Sequence, residues 1–116
     1  MHCTLLLLSL HDTIFKTVVK YFLTEYSVER DIERWLVKSV EALGGKAYKF
    51  TSPGRGGVAD RLVVLPGGVV WFVEVKAPGG RLSALQRVFA QDMERLGARY
   101  VCLWDREQVD EWIRAL

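Results

Sequence analysis

Two valine-rich segments separated by Pro-Gly-Gly at residues 66–68 constrain the fold of this chain more than any other feature. Residues 62–65 and 69–75 have the length and β-branched content of strands, and a short Gly-rich connection between them favours a hairpin. The second segment is apolar on both faces up to Val73, which is typical of a strand inside a sheet. We therefore predict that it is a central strand, paired with the segment that precedes it.

Helical and extended patterns alternate along the rest of the chain from Ser27 onward. The predicted elements are a helix capped by Ser27 and ending at Gly44, a strand over 46–51, a loop over 52–57, a helix from Ser83 to Gly97, a strand over 99–104 and a helix capped by Asp105. This order predicts one α/β domain over residues 27–116, with a mixed β-sheet flanked by helices. We interpret residues 1–26 as an N-terminal extension, an appended helix or strand, with poor order as the alternative.

Composition excludes several classes of protein. The 116 residues suffice for one domain, and a hydrophobic share of 50% is ordinary for a globular chain. The formal net charge of +2 means that any affinity for nucleic acid must come from local clusters of Lys and Arg. Cys3 and Cys102 have no zinc-site or disulfide spacing, which favours a reducing, cytosolic compartment. The N-terminal apolar run lacks the pattern of a signal peptide and is too short for a membrane span.

The hairpin brings two carboxylates together. A three-residue loop pairs Leu65 with Val69, and counting outward places Asp60 opposite Glu74, with Cβ atoms roughly 5 Å apart. A two-residue loop would shift this pairing by one position. Because side chains alternate along a strand, Lys76 projects from the same face as Glu74. An ammonium group is therefore expected beside two carboxylates that repel each other.

These groups suit metal-dependent hydrolysis of a phosphodiester. Asp60, Glu74 and the carbonyl of Val75 are hard oxygen ligands of the kind that Mg²⁺ or Mn²⁺ prefers. Lys76 can orient the attacking water or neutralise charge that develops on the phosphate. The alternative is that Asp60 only starts a strand and that Glu74 and Lys76 form a solvated pair. The apparent burial of the strand and the hairpin count favour the catalytic interpretation.

The same residues resemble a known family. Between about Ser27 and Trp104 the sequence is similar to the VRR-NUC family of the PD-(D/E)XK nuclease superfamily, particularly its stand-alone phage-type members. The motifs that carry the resemblance are Ser-Val-Glu-Arg at 27–30, the loop at 50–57, Asp60, Glu-Val-Lys at 74–76 and Gln86. Ala59 stands where the family usually has proline, which affects the backbone rather than the ligands.

The resemblance implies a restriction-endonuclease-like fold and an Mg²⁺- or Mn²⁺-dependent endodeoxyribonuclease that cuts structured DNA. For stand-alone members it also implies a homodimer that resolves four-way (Holliday) junctions, acting in the cytosol of a phage-infected or bacterial host. A flap or linear-duplex nuclease and a non-catalytic DNA-binding scaffold of the same fold are the alternatives. Intact Asp60, Glu74 and Lys76 favour the enzyme over the scaffold.

Two further site residues come from the family comparison. It assigns an acidic residue of the first helix to the metal site, and Glu29 fits the inward-facing arc of that helix better than Glu33 does. It also places a glutamine near the site at Gln86. Since Ser83 and Gln86 have capping-box spacing, Gln86 has an equally good purely structural interpretation.

Four basic residues flank this site in the sequence and are candidates for contacts with DNA phosphates, namely Lys49, Arg55, Arg81 and Arg87. Solvated surface charge is the simpler interpretation for each one except Arg55, which lies in the Gly-rich loop near Asp60. Trp35, Trp71 and Trp112 are predicted to lie in the core rather than to stack on bases. His2 and His11 are assigned no role.

Overall fold

The computed structural model describes the backbone of residues 2–116 and the side chains of residues 9–116. Its elements are α1 (His2–Ala42), β1 (Lys46–Lys49), β2 (Arg61–Leu65), β3 (Val69–Val75), α2 (Ala84–Arg95), β4 (Tyr100–Leu103) and α3 (Arg106–Ala115). The four strands form one sheet in the order β1-β2-β3-β4. The first three strands are antiparallel and β4 runs parallel to β3. The predicted mixed sheet flanked by helices is confirmed.

The hairpin between β2 and β3 has the predicted three-residue loop. Leu65 pairs with Val69, and the amide of Gly68 donates to the carbonyl of Leu65 at 3.1 Å. Gly67 and Gly68 have φ values of 87° and 79°, which residues with a Cβ rarely adopt. The pairing continues to Arg61 opposite Val73, so the register that aligns Asp60 with Glu74 is confirmed.

One face of the sheet packs against α1 and α3. Every second residue of β2 and β3 points to this face, where Val63, Val73 and Val75 are fully buried beneath Leu36 and Val109. Burying side chains of this size contributes roughly 1.5–3 kcal/mol each. The rings of Trp71 and Trp112 meet edge to face at 5.5 Å, and Trp35 packs at the margin of the same cluster. The prediction that these tryptophans belong to the core is confirmed.

Part of the opposite face is covered by α2, while Tyr48 and Val70 on that face remain exposed. Phe89 of this helix packs against Phe50, Phe72 and Tyr100 with ring centroids 5.5–6.4 Å apart. Ser83 caps the helix as predicted, since its side chain accepts the amide hydrogen of Gln86. The start of α2 is thereby fixed above the strand ends that carry the acidic residues.

The first helix differs from its prediction. Ser27 does not begin a helix but lies inside α1, which runs without interruption from His2 to Ala42. Residues 2–42 contain neither Gly nor Pro, and one serine costs a helix interior only a fraction of a kcal/mol, so the cap signal at Ser27 is overridden. Met1 lies outside the described residues. Within the part of the chain that the structure describes, no helix is both long and apolar enough to cross a membrane.

The first half of α1 extends past the sheet. It contributes to the longest dimension of the molecule, 70 Å against 29 and 21 Å for the other two axes. Large apolar side chains on this half remain exposed, among them Phe15 at 66% and Phe22 at 65%. The described residues of the domain leave these side chains uncovered, so α1 presents a long apolar flank to its surroundings.

Candidate active site

Asp60 lies directly before β2 and is tied to both neighbouring strands. Its carbonyl accepts the amide hydrogen of Phe50 at 3.0 Å, which continues the ladder between β1 and β2. Its carboxylate oxygen Oδ2 accepts the amide hydrogen of Val75 at 2.8 Å. A backbone donor bonded to a carboxylate gives one of the stronger hydrogen bonds in proteins. The side chain of Asp60 is therefore held against the end of β3, beside Glu74.

Glu74 is an acidic side chain buried in the interior. It is only 1% exposed, and its carboxyl lies within hydrogen-bonding reach of Asp60. Burial raises the pKa of Glu74 to about 8, the negative charge of Asp60 adds to the effect, and Lys76 opposes it. At neutral pH this carboxyl favours a proton, unless another positive charge takes the proton's place.

Gln86 serves the helix cap and the site at the same time. Its Oε1 accepts the amide hydrogen of Ser83 at 2.8 Å, which completes the capping box. Its Nε2 donates to Oε1 of Glu74 at 3.1 Å. Because the cap engages the oxygen of the amide, the nitrogen is directed at the carboxyl group. The two interpretations of Gln86 therefore hold together in one conformation.

Lys76 and Glu29 border the two carboxyl groups. The charge of Lys76 lowers the pKa of both Glu74 and Glu29, so its ammonium lies near each of these carboxyl groups. Burial raises the pKa of Glu29, and the nearby Asp60 raises it further. Glu33, one turn along α1, instead accepts a hydrogen bond from Nε of Arg61 at 2.7 Å. Of the two acidic candidates on α1, the geometry favours Glu29 as the neighbour of the site.

The donor set fits a hard divalent cation. Two carboxylates at hydrogen-bonding distance, one of them buried with a raised pKa, are stabilised together by a positive charge between them. Among the described residues, no three Asp, Glu, His or Cys side chains converge as a metal-binding group. Glu29 therefore stands beside the Asp60–Glu74 pair, and the carbonyl of Val75 is the predicted third ligand.

Cys102 is a neighbour that the sequence did not reveal. It pairs with Glu74 across the parallel ladder between β3 and β4. Burial raises the pKa of its thiol to about 12, and the nearby charge of Glu74 acts in the same direction. A thiol with this pKa stays protonated at physiological pH and is a poor nucleophile. The sequence did not predict the register of β4 against β3, so it could not place Cys102 beside Glu74.

The Gly-rich loop before Asp60 packs against the start of α2. Gly57 has φ +80°, and a Cβ at this position would lie 2.4 Å from the backbone carbon of Leu85. Only glycine allows this close approach. Arg55 is exposed on the same loop. The backbone amide of Arg55 donates to the carbonyl of Ser52 at 3.2 Å and closes the turn.

The other predicted phosphate contacts also lie at the surface. Lys49, Arg81 and Arg87 are all exposed, and Nη1 of Arg87 donates to the carbonyl of Leu82 at 3.3 Å. Arg81 and Arg87 flank the start of α2, and Lys49 ends β1 opposite Arg61. Their charges are therefore available to an anionic ligand, although none of them belongs to the carboxylate cluster.

We expect the stability of the metal-free protein to fall as pH rises. The folded state holds the proton of Glu74 with a pKa of about 8, against an ordinary pKa of 4.5 for a glutamate side chain. Because the folded pKa is raised, the resulting stabilisation is complete below pH 4.5 and is lost as pH rises toward 8. In EDTA, the melting temperature should decrease by roughly 5 °C or more between pH 5 and 8.

The matched variants for this measurement are Glu74→Gln and Glu94→Gln. The first replaces the buried carboxyl with a neutral isostere and should flatten the pH dependence. The second alters an exposed residue of α2 and should leave the wild-type slope in place. An equal slope in wild type and Glu74→Gln would show that this carboxyl does not carry the effect.

Comparisons with known proteins come from a sequence relative and a solved structure. No family model matches the chain. It is 57% identical over 58 residues to "Putative nuclease p44" of Acyrthosiphon pisum secondary endosymbiont phage 1, a match that covers 50% of this chain and 62% of the phage protein. The chain is also similar in structure to a solved "VRR_NUC domain", with a TM-score of 0.71 and 34% identity over 74% of this chain and 94% of that one.

Proposed function

We propose that this chain, which belongs to the VRR-NUC family, is an endonuclease that hydrolyses phosphodiester bonds in DNA. The observation that carries the proposal is the buried Glu74 next to Asp60, with Lys76 and Gln86 completing its surroundings. A buried carboxyl group beside a second, partly buried carboxylate is costly for a purely structural role, because like charges in a desolvated site destabilise the fold. The phage relative, whose name describes a nuclease, supports the same activity.

We assign a divalent cation, Mg²⁺ or Mn²⁺, to Asp60, Glu74 and the carbonyl of Val75, with Glu29 at the border of the site. Such a cation supplies Lewis-acid stabilisation of the charge on the phosphoryl oxygens. Asp60 is pre-oriented for this role by the amide of Val75, and Glu74 by the amide nitrogen of Gln86. The protein thus holds both carboxylates in place before substrate arrives, which limits the reorganisation needed during the reaction.

Lys76 is the proposed electrostatic catalyst. Lys76 projects from the same face of the strand as Glu74. Its ammonium lies close enough to lower the pKa of both Glu74 and Glu29. In that position it neutralises charge on the phosphate and orients the attacking water. In this step the water oxygen bonds to the phosphorus, one P–O bond to a deoxyribose oxygen breaks, and that oxygen leaves as a hydroxyl with a proton from the water, so no covalent enzyme intermediate is required.

We propose branched DNA, with four-way junctions as the preferred substrate, and a homodimer as the active species. Resolving a junction requires two incisions, and one chain supplies one carboxylate cluster. The exposed apolar flank of α1, which includes Leu10, Phe15 and Phe22, supports association because such a surface is normally covered. The phage relative supports the bacterial cytosol as the place of action.

A cleavage assay tests the activity and its substrate. Purified protein is incubated with labelled four-way junction, flap and linear duplex, each with Mg²⁺, Mn²⁺ or EDTA. We expect cleavage of the junction with either metal and none in EDTA. Cleavage that persists in EDTA contradicts the metal-dependent mechanism. Preferential cutting of the flap or the linear duplex contradicts the junction assignment, and binding without cleavage supports the scaffold alternative.

Light scattering tests the assembly. A particle of twice the 13.2 kDa chain mass at working concentration is expected for the homodimer. A monomer at the concentration that gives paired junction incisions would contradict it.

A further inference from the structure

A basic groove separate from the carboxylate cluster lies between α1 and the β1–β2 edge of the sheet. Its volume is about 330 Å³, and it is lined by Arg30, Glu33, Arg34, Val37, Lys38, Lys49 and Arg61. We propose that this groove, called here the α1 groove, binds the phosphodiester backbone of substrate DNA away from the scissile phosphate. The inference rests on the proposed function, and it adds a binding surface that the catalytic residues do not define.

The α1 groove concentrates more positive charge than the net charge of the whole chain. Five cations and one carboxylate line it, in a protein whose formal net charge is only +2. The carboxylate, Glu33, is occupied by Arg61 at 2.7 Å. Among the described side chains, the other four cations have no salt-bridge partner. The groove is therefore a concentrated and largely uncompensated positive surface, as phosphate binding requires.

The spacing of the cations follows from the helix. Arg30, Arg34 and Lys38 recur every four residues, so they share one face and lie roughly 6 Å apart along the axis. Lys49 faces them from β1, since it stands opposite Arg61 in the ladder. A row of charges on one side with a single charge across from it suits an extended anionic chain better than one isolated phosphate.

The floor of the groove is rigid. Arg61 is anchored by two hydrogen bonds, from Nε to Glu33 and from Nη1 to the carbonyl of Ala47 at 3.0 Å. These bonds join α1 to the edge of the sheet and hold the walls at a fixed separation. The backbone that forms the groove then needs little rearrangement when a ligand binds, which favours affinity.

The groove reaches the active site along α1. Arg30 follows Glu29 on this helix, whereas Arg61, the neighbour of Asp60 in β2, points to the opposite face of the sheet because side chains alternate along a strand. A DNA strand bound at the carboxylates would therefore continue onto the groove along α1, at the edge of the sheet. With its only carboxylate engaged, the groove offers cations and the apolar Val37 to a ligand, and such contacts position DNA without reading its sequence.

The test compares two double variants of the full chain that lose the same charge. Arg34→Gln with Lys38→Gln removes two groove cations, and Arg95→Gln with Arg99→Gln removes two exposed cations elsewhere. Binding of a labelled linear duplex is measured by fluorescence anisotropy in EDTA, at salt concentrations from about 50 to 200 mM, a range over which the affinity due to phosphate contacts falls steeply.

We expect the groove variant to bind roughly tenfold more weakly at the lowest salt, with a log Kd against log salt slope that is shallower by about 2. The control variant should bind like wild type, and both should keep the wild-type melting temperature. Equal affinity and slope for the groove variant and wild type would overturn the proposal. So would equal losses in the two variants, because they would indicate an effect of net charge alone.

Cleavage kinetics separate this inference from the proposed activity. With Mg²⁺ present, the groove variant should show a raised KM and a wild-type kcat. If wild-type protein cuts no DNA, the proposed activity fails, while the binding comparison still decides the role of the groove. If wild-type protein cuts DNA and the groove variant has an unchanged KM, the groove proposal alone fails.

Discussion

Asp60→Asn is expected to lower kcat/KM for metal-dependent DNA cleavage by about 10³-fold or more, an effect typical of losing a principal electrostatic group. The asparagine side-chain oxygen can still accept the amide hydrogen of Val75, so the local backbone remains held. What is lost is the negative charge that would bind the cation. Repulsion between Asp60 and Glu74 also disappears, so the metal-free variant should melt no lower than wild type.

Asp92→Asn is the matched control for this experiment. It makes the same chemical change on α2, where Asp92 pairs with Arg95 at 3.5 Å at the surface. Its cleavage rate should equal that of wild type. Near-normal activity of Asp60→Asn at saturating Mg²⁺ would refute the assignment of Asp60 to the centre. A large loss of stability would mean that the aspartate is needed for folding.

Lys76→Met is expected to lower kcat by about 10²–10³-fold through the loss of an oriented positive charge. The same change should move the acid limb of the pH–rate profile to higher pH. Lys76 lowers the pKa of both Glu74 and Glu29, and without it each carboxyl keeps its proton to higher pH. The two effects are separable, because raising the pH restores ionisation of the carboxyls but does not replace the ammonium.

Lys46→Met controls for the loss of one lysine. Lys46 is exposed at the start of β1, opposite Val64 and away from the acidic strand ends. The Lys46→Met variant should keep the wild-type kcat and pH profile. A Lys76→Met enzyme with reduced kcat but an unshifted pH profile would show that Lys76 acts on the substrate without tuning the carboxyls. An unchanged kcat would remove it from the mechanism.

Local chemistry made the sheet and the acidic pair predictable. Pro66 and the two glycines after it set a loop length, and alternation along β2 and β3 then aligned Asp60 with Glu74. Ser83 and Asp105 cap their helices as predicted, because a short side chain before an apolar periodic segment satisfies the first free amides. These inferences needed only neighbours along the chain or across one turn.

Features that depend on packing between distant elements were not predictable in the same way. The cap signal at Ser27 failed because capping residues also fit helix interiors when no Gly or Pro stops the helix. The sequence could not decide whether Gln86 caps the helix or serves the site. It does both, since its amide oxygen accepts from Ser83 and its amide nitrogen donates to Glu74. The ion pair of Glu33 with Arg61 required the docking of α1 on the sheet edge.

The length of the β2–β3 loop is constrained although the loop itself is exposed. Loop tips usually tolerate gain or loss of residues, because nothing distant depends on them. Here roughly 16 Å of strand separates Leu65 from Asp60. The register that the loop sets at Leu65 continues unbroken along β2, so the loop length also determines the partner of Asp60. Deleting either glycine would force the strands to re-pair and turn one set of side chains to the other face. Natural variation in this family member should therefore preserve the number of tip residues, and the positive φ values of Gly67 and Gly68 also restrict their identity.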